Sequence, residues 1–202
     1  MEVAAEVPRR VRELNWYELG PFTVFDFETT GMSPVNDRAV ELAALRIETD
    51  GSESAFHSLV DPGRSIPPGV VAIHHITDDM VRGAPHFAAV ARDFLEFAED
   101  STLVAHNAVF DLGFLQEGLA RCGLPLWRGK TIDSVRLARR CFPGLGSYRL
   151  QSLRAELQLD DEAGNDQAHR AGADVYWTAQ VLRRSLERAL RAGAFSPSGG
   201  GR

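Results

Sequence analysis

Asp26 and Glu28 stand inside the run FTVFDFETTG, residues 22–31, which is otherwise aromatic, β-branched or small. A run of this kind, stopped by Thr-Thr-Gly, reads as a β-strand. Side chains alternate across a strand, so the two acids share one face about 7 Å apart, while Phe25 and Phe27 share the other. The aromatic face demands burial, which removes the reading of a solvated edge strand where two acids would be unremarkable. An isolated ionised carboxylate in such a setting costs several kcal/mol unless it is paired or binds a metal. The remaining alternative is a strand-end acid that caps the following loop.

Three further residues raise the same question. Asp111 falls at the start of a predicted helix directly after a strand, where an acid also has a plain structural use: it favours the helix dipole and the free N–H groups of the first turn. Asp174 lies on a stripe with Trp177, Thr178, Val181 and Leu182, at steps of three and four along the final helix, and a lone acid on a core-facing stripe needs a partner. His169 precedes it by five residues and would point roughly 140° away on a continuous helix. It is therefore expected on a loop ahead of the helix, able to approach the same place, with a structural or surface histidine as the plainer reading.

The elements that must bring these residues together follow from pattern. The run over residues 22–28 is the first strand. RAVELAALRIETDGSESAFHSLVDP reads as two strands joined around Asp50-Gly51, a hairpin signal. After GRSIPPG, the stretch beginning TDDMVRG turns helical in its second half, where Phe87, Val90, Phe94 and Phe97 keep a period near 3.6. STLVAHN is a short apolar strand leading into a helix over FDLGFLQEGLARCG, ended by Gly123 and Pro125. KTIDSVRLARR gives a brief strand and then a helix capped by Asp133 or Ser134. SLRAELQL adds a short helix, and AHRAGADVYWTAQVLRRSLERALRAG closes the domain with a long one. Three leading strands, two of them a hairpin, followed by alternating strands and helices, describe an α/β sandwich around a mixed sheet with the first strand central.

At 202 residues the chain is long enough for one well-buried core and does not demand two. Hydrophobic residues at 44% against 25% charged exclude an intrinsically disordered chain. No apolar run approaches the 18 or so residues of a membrane span, and MEVAAEVPRRVREL lacks the uninterrupted apolar segment of a secretion signal; a cytoplasmic protein without membrane contact is expected. Cys122 and Cys141 show no CxxC spacing, so neither a disulfide framework nor a zinc site is indicated and both are expected as core thiols. The net charge of −6 does not settle whether the partner is a nucleic acid. Arg136, Arg139, Arg140, Arg149 and Arg154 read either as a solvated helix face or as phosphate contacts, and a carboxylate site becomes electropositive once loaded with divalent metal.

The joint pattern is far more specific than its parts. DFE on a strand, AHNAVFDLGFL at a strand-to-helix junction and HRAGAD opening a terminal helix resemble, in order and spacing, the three motifs of the DEDDh (DnaQ-like) 3′ to 5′ exonucleases. That family contains the proofreading epsilon subunit of bacterial DNA polymerase III and the exonuclease domains of Gram-positive replicative polymerases. The linking stretches FDFETTGM, ELAAL, IHHIT, TIDSVRLAR and SYRLQSL resemble it too, so that the similarity covers roughly residues 21–190. It implies an RNase H-like fold, an α/β architecture whose central mixed five-stranded sheet has the order 3-2-1-4-5 and is flanked by helices. Residues 1–20 then form a lead-in, 21–192 the exonuclease domain and 193–202 a disordered tail.

Residue by residue, the resemblance makes Asp26, Glu28, Asp111 and Asp174 the metal-binding acids and His169 the general base. It places Thr29, Thr30 and Met32 at the terminal nucleotide, Thr30 through its backbone near the 3′ hydroxyl, and His74 beside the nucleobase. His106 and Asn107 match the second motif and are expected among the substrate-binding residues, with the asparagine supporting the site. Two positions depart from the common pattern: His75 stands where Gly is usual, and Gly172 where Leu is frequent. The first leaves open whether His74 or His75 meets the substrate, and the second loosens the His169 loop, since Gly costs about 1 kcal/mol against Ala in a helix.

The chemistry fits these roles. Phosphodiester hydrolysis brings a hydroxide to an anionic phosphorus, and two divalent ions about 3.5–4 Å apart can both generate the nucleophile and neutralise the transition state. Hard oxygen ligands suit Mg²⁺ or Mn²⁺. In this scheme Asp26 bridges the ions, Glu28 and Asp174 complete the site of the nucleophilic water, Asp111 serves the second ion, and His169, with an ordinary pKa near 6.5, takes the proton. The expected activity is a metal-dependent 3′ to 5′ exonuclease releasing nucleoside 5′-monophosphates from single-stranded or frayed ends, with DNA favoured over RNA and a DNA polymerase as a possible partner. RNA 3′-end trimming and a non-catalytic nucleic-acid-binding or polymerase-associated module are the alternatives. The chain ends soon after its last helix, which suggests that it acts alone or binds a polymerase through residues 1–20.

Overall fold

The computed structural model describes residues 14–159 and 171–193. His169 and the rest of 160–170 lie outside the described residues, as do 1–13 and 194–202. Five strands, β1 (Phe22–Thr29), β2 (Ala39–Ile47), β3 (Glu53–Leu59), β4 (Thr102–Ala105) and β5 (Thr131–Asp133), form one sheet in the order β3-β2-β1-β4-β5. Neighbours β1 and β2 are antiparallel, as are β2 and β3, whereas β4 runs parallel to β1 and β5 parallel to β4. The expected mixed sheet, its order and its central first strand are all present. The helices are α1 (Pro68–His74), α2 (Asp78–Val81), α3 (Phe87–Phe97), α4 (Ala108–Arg121), α5 (Ser134–Cys141), α6 (Leu150–Glu156) and α7 (Ala171–Arg191). Among the described residues no helix is long and apolar enough to cross a membrane.

Local chemistry explains the junctions. At the β2–β3 turn Gly51 adopts φ +85, the left-handed region that glycine enters without a Cβ clash, and the Asp50 carboxylate accepts the Ser52 N–H at 2.8 Å. The Asp133 carboxylate accepts the Val135 N–H at 2.9 Å and so caps α5, as its position suggests. Helices α1 and α2 are not predicted by the sequence pattern. The first is a single short stretch whose Pro68 stands at its start, where a missing N–H costs nothing; the Pro-rich lead-in masks it.

β1 is buried on both faces. Phe25 and Phe27 pack with Leu42, Ala44 and Leu103 beneath α3 and α4, against Val90, Phe94, Phe114 and Leu115. On the opposite face Phe22 and Val24 pack with Ala43, Ile47 and Val104 beneath Val175, Ala179, Leu182 and Leu186 of α7. The two acids belong to this second face, so only the last residues of the strand are free of an apolar cover. Trp16 and Tyr17, at the end of the expected lead-in, pack against the same cluster, with Trp16 stacked on Phe22 at 6.3 Å between ring centroids.

One expectation needs correction. Cys122 is exposed and Cys141 only partly buried, so neither is a core thiol; Cys122 follows directly on α4, where the chain turns away from the core. In the basic stretch Arg136, Arg139, Arg140 and Arg149 are exposed, as a solvated face would be, and Arg154 is half-buried. Arg139 lies over the Tyr148 ring at 4.8 Å and Arg154 over Trp177 at 4.3 Å, placing guanidinium planes on aromatic surface as packing elements.

Phe94 ties the α3 layer to the sheet. It is fully buried, with its ring centroid 5.5 Å from Phe25 and 6.0 Å from Phe56. Phe94→Ala should cost about 3–5 kcal/mol, read as a lower denaturant midpoint at unchanged slope.

Candidate active site

The carboxyl ends of β1, β4 and β5 meet at one edge of the sheet, and the candidate site forms there. Asp26 and Glu28 leave β1 on the same face, opposite Ala43 and Glu41 of β2. Helix α7 crosses that face and lowers Asp174 toward them. Asp26, Glu28 and Asp174 each offer a carboxylate oxygen, and the three oxygens lie within 4.8 Å of one another. Asp111 reaches the same strand from α4: it is 2% exposed and its Oδ1 accepts the Phe27 N–H at 3.0 Å. The backbone bond fixes α4 to β1 between the two strand acids, so all four sequence-predicted acids converge.

Electrostatics show how crowded the arrangement is. Burial raises the Asp26 carboxyl well above its ordinary value, and repulsion from Asp111, Asp174, Glu28 and Glu41 raises it further. Burial pushes Asp111 up to about 7 against the opposing pull of the Phe27 and Asp111 N–H groups, with Asp174 and Asp133 adding repulsion. A set of hard oxygen donors that repel one another and share one small volume fits a divalent cation, which supplies the missing positive charge.

The loop after β1 is held rigidly. Thr29 Oγ1 donates to the Gly31 carbonyl at 2.6 Å, and Thr30 Oγ1 accepts the Arg38 N–H at 3.0 Å. The Thr30 N–H donates to the Arg38 carbonyl at 2.8 Å, so the expected backbone contact to a 3′ hydroxyl cannot use this N–H in the same arrangement. Gly31 leaves room for the Asp37 carboxylate: a Cβ there would lie 2.4 Å from it and force it to shift. That carboxylate accepts the Ser33 N–H at 2.9 Å. Met32 projects from this braced turn and is 80% exposed, as a side chain that meets a nucleotide must be.

The histidines divide by partner. His74 is buried; its Nδ1 accepts the Ile76 N–H at 3.0 Å, which leaves the proton on Nε2, directed to the Thr29 carbonyl at 3.3 Å. His75 is exposed and caps α1 at φ +61, which explains why glycine suits this position. Of the two, only His74 touches the end of β1. His106 departs from its expected role in substrate contact. Its Nδ1 meets Ser134 Oγ at 2.8 Å and its Nε2 the Tyr148 carbonyl at 3.0 Å, so both ring nitrogens tie β4 to α5 and the 142–149 segment. Burial lowers its pKa, consistent with a neutral, structural ring. Asn107 is exposed at φ +65, at the N-cap of α4. Sequence reasoning passed over Glu41, a fifth acid that is fully buried. The signal was the same as for Asp26: an acid in the apolar stretch RAVELAAL.

A mixed sheet of this order, with clustered carboxylates at the ends of its central strands, defines a nuclease of the RNase H-like fold. Residues 23–182 match the exonuclease family RNase_T, and the chain belongs to that family as a hydrolytic nuclease. It is 42% identical over 156 residues to the DNA polymerase III subunit epsilon of Treponema pallidum (strain Nichols), spanning 76% of this chain and 71% of that protein. It is 36% identical over 172 residues to the PolC-type DNA polymerase III of Bacillus cereus, and 36% identical over 168 residues to the 3′-5′ exonuclease DinG of Bacillus subtilis (strain 168). These matches span 85% and 83% of this chain but only 12% and 18% of the two larger proteins. Among solved structures, Exonuclease X in complex with 5′ overhanging duplex DNA superposes with a TM-score of 0.65 at 30% identity, covering 87% of this chain and 94% of that one.

The raised carboxyls set the pH dependence of the metal-free fold. A carboxyl raised in the folded chain contributes stability that is complete below the unfolded value of about 3.9 and is lost as pH climbs through the folded value. In chelator, the melting temperature should therefore fall as pH rises from about 4 to about 7, and less steeply in Asp111→Asn. Added Mg²⁺ or Mn²⁺ should raise the melting temperature most at the upper end of that window.

Proposed function

We propose that this chain is a metal-dependent 3′ to 5′ exonuclease of DNA, releasing nucleoside 5′-monophosphates from single-stranded or frayed ends. The observation that carries the reading is the convergence of Asp26, Glu28 and Asp174 within 4.8 Å, with Asp111 bonded to the strand between the first two. These four residues would hold two divalent ions, Mg²⁺ or Mn²⁺. Bound divalent ions lower the pKa of water and offset charge on a phosphate. The protein's own part is to fix the ligand geometry on a rigid strand, to seat the terminal nucleotide and to accept a proton. Thr29, Thr30 and Met32 form the rim on which the 3′ nucleotide would rest, with His74 supporting the end of β1 from below. Asn107, exposed at the N-cap of α4, is assigned to the substrate with them, while His106 acts by bracing β4 against α5. His169 is assigned the proton-accepting role, two residues ahead of the described start of α7.

DNA is favoured because the similar proteins include DNA polymerase III components and a nuclease bound to duplex DNA. The epsilon subunit also makes a DNA polymerase the natural partner to test. An apolar rim such as Met32 suits a nuclease that must accept any base, since it contacts the base face and not the hydrogen-bonding edge.

Digestion of 5′-labelled single-stranded DNA, mismatched primer-template and matched RNA in Mg²⁺ and Mn²⁺ tests the reading. Stepwise shortening from the 3′ end of DNA is expected, with slower loss of RNA. Asp26→Asn should lower the rate by on the order of 10²–10³-fold, the scale of lost electrostatic stabilisation. Equal rates on DNA and RNA would overturn the sugar preference, and stable binding without shortening would favour a non-catalytic module.

A further inference from the structure

Glu41 is the buried acid that the mechanism does not use. It is 1% exposed, and it pairs in register with Glu28, so its side chain enters the face on which the metal-binding acids lie. There it adds to the repulsion on Asp26. A neutral side chain of similar size would fill the position without that cost, so its carboxylate needs a specific use.

The use is visible in its partners. Oε2 accepts the N–H of Ala171, the first described residue of α7, at 3.2 Å, and Oε1 meets His57 Nε2 of the edge strand β3 at 2.8 Å. His57 is half exposed, which gives the buried carboxylate one partner at the surface and one inside. The bond to Ala171 lies three residues before Asp174, or about 4.5 Å along the helix axis. That first turn reads Ala171-Gly172-Ala173; Ala171 and Ala173 are buried, but each brings only a methyl group to the packing. Glycine also starts a helix poorly compared with alanine. A carboxylate facing a helix start satisfies a free N–H and favours the dipole.

We infer that Glu41 is a positioning residue: by holding the Ala171 N–H it fixes the first turn of α7, and through it Asp174, over the acids of β1. The inference rests on the exonuclease reading only for its effect on rate; the mechanical anchor stands independently. A displacement near 1 Å at a reacting group can cost about 10²-fold in rate, so the anchor controls kcat while substrate affinity, set at the rim, is spared.

Glu41→Met keeps the volume and removes both acceptors, whereas Glu41→Gln retains an oxygen for Ala171. Glu41→Met should lower kcat by about 10- to 100-fold at nearly unchanged KM, speed amide exchange in the first turn of α7 but not in β1, and weaken Mn²⁺ binding measured by calorimetry. Glu41→Gln should recover most of each loss. Gly172→Ala, whose Cβ meets nothing within 4 Å, should recover part of the kcat of Glu41→Met by strengthening the helix start. Wild-type kcat and wild-type exchange in Glu41→Met would overturn the inference, as would Glu41→Gln behaving no better than Glu41→Met. If Glu41→Met does not fold, the same exchange and Mn²⁺ measurements on Glu41→Gln and His57→Ala decide: exchange at α7 equal to wild type in His57→Ala together with full loss in Glu41→Gln would overturn it. If the wild type itself degrades no nucleic acid, the exonuclease reading fails while exchange and Mn²⁺ binding still judge the anchor.

Discussion

Like-charge repulsion at the end of β1 is the constraint that the rest of the fold answers to. Asp26 alone feels Asp111, Asp174, Glu28 and Glu41. Left to themselves these groups would separate or take up protons, and a flexible backbone would let them. The fold prevents the separation mechanically, and the crowded carboxyls are pushed toward holding protons instead. β1 is clamped between two apolar layers, Phe25 and Phe27 on one side and Phe22 and Val24 on the other. The acids project from the end of a strand that cannot twist away without opening a core. Stability drawn from apolar packing therefore sustains a site that is itself destabilising without metal, a division of labour common where function needs unfavourable geometry.

The same logic governs the loop that follows. Residues 30–38 have little regular structure, yet their polar groups are accounted for by contacts from three directions. Arg121 donates to the Pro34 carbonyl at 2.9 Å, Arg64 to that of Asn36 at 2.6 Å and Arg38 to that of Asp37 at 2.7 Å. Asp37 fills the inside of the turn, in the space that Gly31 leaves open. A loop braced from within by the Asp37 carboxylate and the Arg38 guanidinium, and from outside by those of Arg64 and Arg121, can present Met32 in a fixed place, which irregular backbone alone would not do.

Much of this was legible in the sequence because it is local. The period of β1 puts Asp26 and Glu28 on one face, the hairpin follows from Asp50-Gly51, and the stripe on the last helix aims Asp174 inward. What escaped depends on partners far apart in the chain. His106 belongs to a motif that suggests substrate contact, but its ring is claimed by Ser134 and by the Tyr148 carbonyl; no local pattern announces either bond. Cys122 follows a buried helical stretch, yet the chain turns outward there. Glu41 was overlooked for a different reason. Its stretch was legible as a buried strand, and an acid within it should have prompted the question asked of Asp26, but its answer, the Ala171 N–H, lies on another element more than half the chain away.

The order of the elements along the chain adds a final consequence. β1, β2, β4 and α4 bring Asp26, Glu28 and Asp111 together, and none of them supplies the fourth acid. Asp174 arrives only when α7 packs across β1 and β2, and the same packing covers Phe22, Val24 and Ala43. Burial of that apolar face and completion of the acid cluster are therefore one event. Bringing Asp174 in adds repulsion, yet α7 also buries Val175, Leu182 and Leu186, and each side chain of that kind contributes about 1.5–3 kcal/mol when fully buried. Packing of this size outweighs the repulsion of one more carboxylate, which is how a helix can be made to carry an acid to the place where electrostatics least favours it.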